Sequence, residues 1–277
     1  MSDQLAFDFT LPTLQASAVR FPPHSVPEPE VRRLSALDSK PNAPAEDTFI
    51  YGGGSAKEAE FFKMFDRLSV ESNRALHTVF DDFCLLGRCI VHNFGMQEPL
   101  LARYMPKYEQ CHTEYFERAK YYKQPQIILI LNMIKALSEL LAWQPDDYLG
   151  RYFGQMRLDK HFHGQFFTPI HVCEFMAAVA FGDGLPQGKP YVTVAEPACG
   201  SGAMIIGLIR HLQKQGMTDL GGKLAILATD IDSLCVNMAY LQLGILGLSV
   251  RITHGNSLTD EVWDCLLYTS DAADEAR

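Results

Sequence analysis

Along the 277 residues, the spacing of apolar positions changes its period twice. Up to about residue 55 no period is sustained: prolines stand at 12, 22, 23, 27, 29, 41 and 44, charge is scattered, and Gly52, Gly53 and Gly54 close the stretch. Such a segment buries too little apolar surface to offset chain entropy, which predicts a disordered proline-rich arm over 1–55. From Ala56 the spacing becomes helical. Phe61, Phe62, Phe65 and Leu68 recur at helical intervals, LHTVFDDFCLLGRCIVHNF continues the pattern, and QPQIILILNMIKALSELLAW is a long apolar stripe opened by Pro125. Four or five packed helices are expected in the helical domain over 56–157, and QPDDYLGRYFGQM then starts a further helix with Asp146 or Asp147 as its cap.

After Gly164 the pattern changes again. FFTPIHVCEFMAAVAF predicts a helix with Thr168 as N-cap and Pro169 in its first position, and with Val172, Phe175, Met176 and Val179 on one apolar face. PYVTVAEP reads as a short buried strand, SGAMIIGLIRHLQKQ as a helix, KLAILATDID as a second strand, DSLCVNMAYLQLGILG as a second helix and SVRITHGN as a third strand. This alternation predicts an α/β domain over 158–264, with a parallel sheet and right-handed crossovers.

Composition narrows the class. An apolar share of 47% is that of a globular chain, runs such as IILIL are far shorter than a membrane span, and the N-terminus lacks the order of a secretion signal. A soluble cytoplasmic protein without membrane contact is expected. The seven cysteines, at 84, 89, 111, 173, 199, 235 and 265, form no CxxC pair and sit mostly in apolar patterns, so free thiols are expected, with no disulfide and no zinc. A net charge of −9 argues against gripping nucleic acid over the whole surface. Arg151, Arg157 and Lys160 offer a local basic face or a merely solvated one, and His161 and His163 lack a carboxylate or thiol at ligand spacing, so no metal site is expected.

The candidate chemistry lies in VTVAEPACGSGAM, where the first strand turns into its helix. In an open α/β sheet a ligand sits beyond the carboxyl ends of the strands, and Gly200 and Gly202 let it approach the backbone there. A phosphate-binding loop would need Lys then Ser or Thr at the helix start, where Ala203 and Met204 stand. A dinucleotide fingerprint would want a third glycine where AMI stands, and would not call for an acid before the turn. Glu196 is that acid. Asp230 ends the second strand, where a carboxylate can accept ribose hydroxyls, and Asn256 ends the third, with an amide suited to an adenine edge. An acid near a cation, an acid on a ribose and an amide on an adenine describe S-adenosylmethionine.

These residues resemble the adenine-N6 DNA methyltransferases, specifically the modification subunits of type I restriction systems and their small phage or plasmid relatives. GQFFTPIHVCEFM resembles the family's first cofactor motif, VAEPACGSGAM its Asp/Glu-Pro-x-x-Gly-Ser/Thr-Gly turn, ATDIDSLCVNMAYLQLGILGL its acid-bearing strand and helix, and THGNSL its third-strand motif, with Asn256 where Asp is more usual. The helices before Gly164 are similar to the bundle such subunits carry ahead of the catalytic domain. The resemblance implies a class I S-adenosylmethionine-dependent methyltransferase fold, a Rossmann-like parallel sheet incomplete at the C-terminus, after an α-helical N-terminal domain. It implies that Thr168 and Pro169 contact the methionine moiety, and that Glu196, Pro197, Ala198, Gly200, Ser201 and Gly202 form the cofactor turn. By the same resemblance Asp230 holds the ribose, Ile231 packs on the adenine and Asn256 faces its amino group. Implied partners are double-stranded DNA with a target adenine, a specificity subunit and a restriction subunit.

One family element is missing. The Asn/Asp-Pro-Pro-aromatic loop that holds the flipped base does not occur, and the one Pro-Pro pair, Pro22-Pro23, follows Phe21 in the arm. The last thirteen residues, CLLYTSDAADEAR, do not read as a fourth strand and catalytic loop; they resemble the conceptual translation of a transposon-based sequencing adapter. A non-native tail over 265–277 and a natural chain cut near Asp264 are therefore expected, leaving an inactive fragment with a cofactor site. Two alternatives stand beside this reading: a methyltransferase acting on RNA, protein or a small molecule, and a non-catalytic cofactor-binding or regulatory subunit.

Overall fold

Helical periodicity with one wide apolar stripe per segment produces five helices in the first part of the computed structural model, which describes residues 56–95, 105–158, 168–182, 184–186 and 188–268. The arm read over 1–55, Lys160, His161 and His163, and the end of the tail from 269 lie outside the described residues. The five helices are α1 (Ala56–Ser72), α2 (Leu76–Gly95), α3 (Met105–Ala119), α4 (Gln124–Trp143) and α5 (Tyr148–Leu158). Phe61, Phe65 and Leu68 of α1 are fully buried beside Phe80 and Phe83 of α2. The Phe65 ring stacks on Tyr152 of α5 at 4.5 Å and meets Phe83 edge-on at 5.0 Å, geometries that aromatic quadrupoles favour. Asp82, fully buried, accepts from Arg74 at 2.8 Å and from Tyr122 at 2.6 Å, and also pairs with Arg118 of α3.

Helix α4 carries Pro125 in its first turn, where the missing N–H has no partner to lose. By length and composition it could cross a membrane. It buries Leu129, Ile130, Met133, Leu137, Leu140 and Leu141 in the cluster shared with α1 and α2, as a core helix does. Arg151 belongs to no open basic face: it donates to Asp146 at 2.6 Å and to Glu58 at 2.7 Å, with its side chain mostly buried.

The second part runs α6 (Ile170–Phe181), β1 (Val192–Glu196), α7 (Ala203–Lys214), β2 (Leu224–Asp230), α8 (Ser233–Ile245), β3 (Ser249–Asn256) and β4 (Glu261–Tyr268). The sheet order is β1-β2-β3-β4. β1 and β2 pair in parallel with Val194 opposite Ile226, and β2 and β3 in parallel with Ile226 opposite Val250. This is the α/β class with alternating strands and helices that the sequence pattern predicts. Helix α8, apolar on all sides, is buried without a break from Cys235 to Gly244. It packs on β2 and β3 and against α2, where a Cβ on Gly87 would lie 2.7 Å from Leu241, so helices and sheet form one body.

Four local expectations differ from the structure. The N-cap of α6 is Pro169 rather than Thr168, and Pro169 O accepts from Val172 and Cys173. The face of α6 with Val172, Phe175, Met176 and Val179 is exposed; Cys173 and Ala177 are buried instead, because α6 meets α7 through its small residues. A Cβ on Gly207 of α7 would lie 2.5 Å from Cys173. Strand β1 is half-covered rather than buried, with Thr193 and Ala195 exposed, since among the described residues it pairs with β2 alone. The stretch from Cys265 to Tyr268 is the end of β4, antiparallel to β3, with Leu266 buried opposite Ile252. Six cysteines are buried as free thiols and Cys265 is exposed.

Candidate functional site

The site forms where β1, β2 and β3 end. Gly200 and Gly202 take φ of +53° and +93°, left-handed conformations that favour glycine, and the turn closes with Gly202 N–H donating to Cys199 O at 2.8 Å. Cys199 N–H donates to Thr229 O at 2.9 Å, which ties the turn to β2. Asp230 Oδ2 accepts from Gly200 N–H at 2.8 Å and Oδ1 from Asp232 N–H at 2.9 Å. Asp232 caps α8 by accepting from Leu234 N–H. At the end of β3, Asn256 Oδ1 accepts from Leu258 N–H at 3.0 Å.

Together these ends enclose a cavity of about 400 Å³, a volume in the range of small-molecule sites. Of the residues singled out by sequence, Thr168 reaches it from ahead of α6, Pro197, Ala198 and Gly200 from the turn, Asp230 and Ile231 from β2, and Asn256 from β3. Pro169, Glu196, Ser201 and Gly202 are not on its wall. Glu196 is half-buried behind the turn, its Oε1 accepting from Ala198 N–H at 3.3 Å. Ser201 is fully buried and donates through Oγ to Asp147 at 2.6 Å. Gly202 backs onto Leu243 and Ala239 of α8.

Cys199, Met204, Cys235 and Leu258 complete much of the wall, positions that sequence reasoning missed. Cys199 lies in the turn itself and Leu258 just after β3, and no spacing rule marks Met204 and Cys235, because they arrive beside the glycine turn only through the packing of α7 and α8. Asp147 and Gln242 were missed as supports of the turn for the same reason.

The electrostatics are one-sided. Asp230 is the only charged side chain on the wall, and no Lys or Arg lines it among the described residues. Burial, opposed by the Ala198 bond and reinforced by the nearby Asp230 charge, holds the Glu196 carboxyl above its ordinary range. Burial likewise pushes the Cys199 thiol up, with Asp230 and Glu196 adding to it, so the group stays protonated. Ile231 is 59% exposed and Leu258 95% exposed, leaving apolar surface at the mouth for a flat ring. The arrangement suits a ligand with positive charge, hydroxyls and an aromatic portion, and it disfavours a polyphosphate.

Residues 147–274 match a family model described as N-6 DNA Methylase. No curated protein matches the chain. Among solved structures, one from Listeria monocytogenes, assigned as a class I S-adenosylmethionine-dependent methyltransferase, is 17% identical over 75% of this chain and 56% of that one, with a TM-score of 0.42. A modification subunit of a type I restriction enzyme from Vibrio vulnificus YJ016 is 22% identical over 52% and 28%, with a TM-score of 0.34. The type I restriction-modification system methyltransferase subunit from Streptococcus thermophilus is 18% identical over 75% and 53%, with a TM-score of 0.37. The chain thus spans little more than half the length of these proteins at most. The likeness to the N-6 DNA Methylase family is carried by the part of the chain that runs from the start of α5 through β4, somewhat less than half of its length.

Proposed function

We propose that the cavity binds S-adenosylmethionine and that the protein to which this chain belongs methylates adenine N6 in DNA. The observation that carries the reading is the pairing of a glycine turn with two acids, Asp230 on the cavity wall and Glu196 behind the turn, at a wall without a basic side chain among the described residues. A sulfonium and an ammonium would relieve the mutual repulsion of those carboxylates, whereas a pyrophosphate would add to it. When bound, the cofactor supplies an electrophilic methyl group. The chain's own residues would bind and orient it: Asp230 at the ribose hydroxyls, Ile231 on the adenine face, Thr168 at the methionine end, with Gly200 allowing close approach of the backbone. Asn256 Oδ1 accepts from Leu258 and keeps a further lone pair, so the amide would face the adenine amino group through its oxygen and a ring nitrogen through its N–H group.

The match of residues 147–274 to the N-6 DNA Methylase family supports DNA adenine as the substrate. The 277 residues contain no Asn-Pro-Pro-aromatic or Asp-Pro-Pro-aromatic tetrapeptide. We therefore read this chain as competent to bind cofactor and inactive in transfer on its own. A specificity subunit and a restriction subunit as partners, and action in the cytoplasm, belong to the same reading. A non-catalytic, cofactor-binding subunit is the second reading, and the missing tetrapeptide favours it.

Calorimetric titration of the full chain with S-adenosylmethionine, with NAD as control, tests the site. Binding of the first alone is expected; binding of NAD alone, or of neither by a folded chain, sinks the proposal. Transfer of labelled methyl groups to an adenine-containing duplex by the chain alone would overturn the inactive reading.

A further inference from the structure

We infer that Asp147 is a positioning residue for the glycine turn, so that α5 and α8, and not the sheet alone, set the geometry of the ligand site. The inference rests on the proposed S-adenosylmethionine site for its ligand readout. Asp147 stands before the first residue of α5, and its side chain is nearly inaccessible. Its Oδ1 accepts from Gly150 N–H at 2.9 Å, as an N-cap does, and from Gln242 Nε2 of α8 at 2.9 Å. Its Oδ2 accepts from Ser201 Oγ at 2.6 Å, 54 residues along the chain. Gln242, fully buried, also donates to Ser201 O at 3.0 Å and accepts from Leu149 N–H at 3.2 Å.

The centre of the turn is thus gripped on both sides, at the Ser201 hydroxyl by Asp147 and at the Ser201 carbonyl by Gln242. Ser201 lies between the two left-handed glycines, one of which, Gly200, is on the cavity wall. Every polar side-chain atom of Asp147, Ser201 and Gln242 has a partner, the condition under which a buried polar network fixes one geometry. Gly150 shows how little slack there is: a Cβ there would lie 2.1 Å from Asp147 Oδ2 and 2.5 Å from Ser201 Oγ. Glycine within a helix is otherwise disfavoured relative to alanine. The family match opens at Asp147, so the matched segment contains both ends of this contact.

The experiment compares wild type with Asp147→Asn, Asp147→Ala, Ser201→Ala and Gly150→Ala in the full chain. Two readouts are taken: calorimetric affinity for S-adenosylmethionine and for adenosine, and amide hydrogen exchange by NMR at Cys199, Gly200 and Gly202. Ser201→Ala and Asp147→Ala are expected to weaken S-adenosylmethionine about tenfold or more, while adenosine, held by the β2 and β3 ends, changes less than twofold. Gly150→Ala should do the same without removing either partner, and Asp147→Asn should recover most of the affinity. Exchange at the three turn amides should quicken about tenfold while amides of β3 are unchanged.

Equal loss of both ligands, or unchanged affinity and unchanged turn exchange in folded Ser201→Ala, overturns the inference. Should Asp147→Ala not fold, Ser201→Ala and Gly150→Ala decide alone. If wild type binds no S-adenosylmethionine, the proposed site has failed, and the exchange readout, which needs no ligand, still decides the role of Asp147.

Discussion

The backbone N–H of Gly200 donates to Asp230 Oδ2 at 2.8 Å, so the acid at the tip of β2 holds the turn that follows β1. Its other oxygen fixes the entry to α8 through Asp232 N–H at 2.9 Å. One carboxylate therefore shapes the loop opposite it while each oxygen keeps a further lone pair toward the cavity.

Asp230→Ala should lower affinity for S-adenosylmethionine roughly a hundredfold or more. Two charge-assisted contacts are lost at once, and each such bond contributes about 1.5–3 kcal/mol. Calorimetry, with circular dichroism to confirm the fold, checks this; equal affinity in the folded variant refutes the ribose role. Asp230→Asn, which keeps the shape without the charge, should fall between.

Binding should also depend on pH through Glu196. Burial first, then the nearby Asp230 charge, raises its carboxyl above 4.5. An acid raised on folding stabilises the fold in its protonated form, a contribution present below the unfolded value and lost as pH rises through the folded one. A cationic ligand acts in the opposite sense, since it favours the carboxylate. Affinity should fall as pH is lowered from neutrality into the acid range, beginning above the ordinary carboxylate range, and Glu196→Gln should flatten that dependence while raising the thermal midpoint at neutral pH. A pH-independent affinity in wild type would exclude Glu196 from the electrostatics of the site.

His92 predicts acid lability elsewhere. Its Nδ1 lies 2.8 Å from Tyr240 Oη, and that hydroxyl donates to Leu267 O at 3.0 Å, so Nδ1 carries the proton. Burial, helped by the charges of Arg88 and Lys107 and opposed by Asp264 and Glu114, lowers its pKa from 6.5 to about 4. A histidine depressed on folding contributes stability that is present above 6.5 and lost as pH falls to about 4. The loss should amount to roughly 3 kcal/mol, measured by urea unfolding across that range, and His92→Gln should remove most of the slope.

Gly207→Ala should destabilise the protein although alanine is the better helix former. The propensity gain is about 1 kcal/mol, whereas the new Cβ would lie 2.7 Å from Cys173 C and 2.8 Å from Glu174 N, backbone atoms that cannot swing away. Overpacking of this kind costs about 1–3 kcal/mol. A thermal midpoint several degrees lower is expected, with a few-fold weaker S-adenosylmethionine affinity, because α6 follows Thr168 on the cavity wall. A midpoint at or above wild type would show that α6 and α7 can separate without cost.

Much of the molecule was legible because it is local. A 3.6-residue period in α1, α2 and α4, the cap at Asp147, and the glycines at 200 and 202 are each set by a few neighbouring residues and elementary sterics. That Gly200, Asp230 and Asn256 would meet was also readable, since a strand-helix repeat in one sheet brings successive strand ends together, whereas Thr168 precedes α6 and was expected there only from the resemblance.

What the chain pattern could not decide is which surfaces find a neighbour. An apolar face on α6 follows from spacing, yet Phe175 and Val179 are exposed because the close approach of Gly207 turns Cys173 and Ala177 inward. Leu266 enters β4 because Ile252 stands opposite it, a pairing with no sequence signal of its own. Asp147 lies 54 residues from Ser201 and 95 from Gln242, and only the docking of α5 and α8 behind the turn joins them. Sequence by itself determined the periodic elements and the glycine turn, since their energies are short-ranged along the chain. The tertiary structure decided burial, edges and the polar grip on the turn, since those depend on contacts between residues that only the folded chain brings within hydrogen-bond reach.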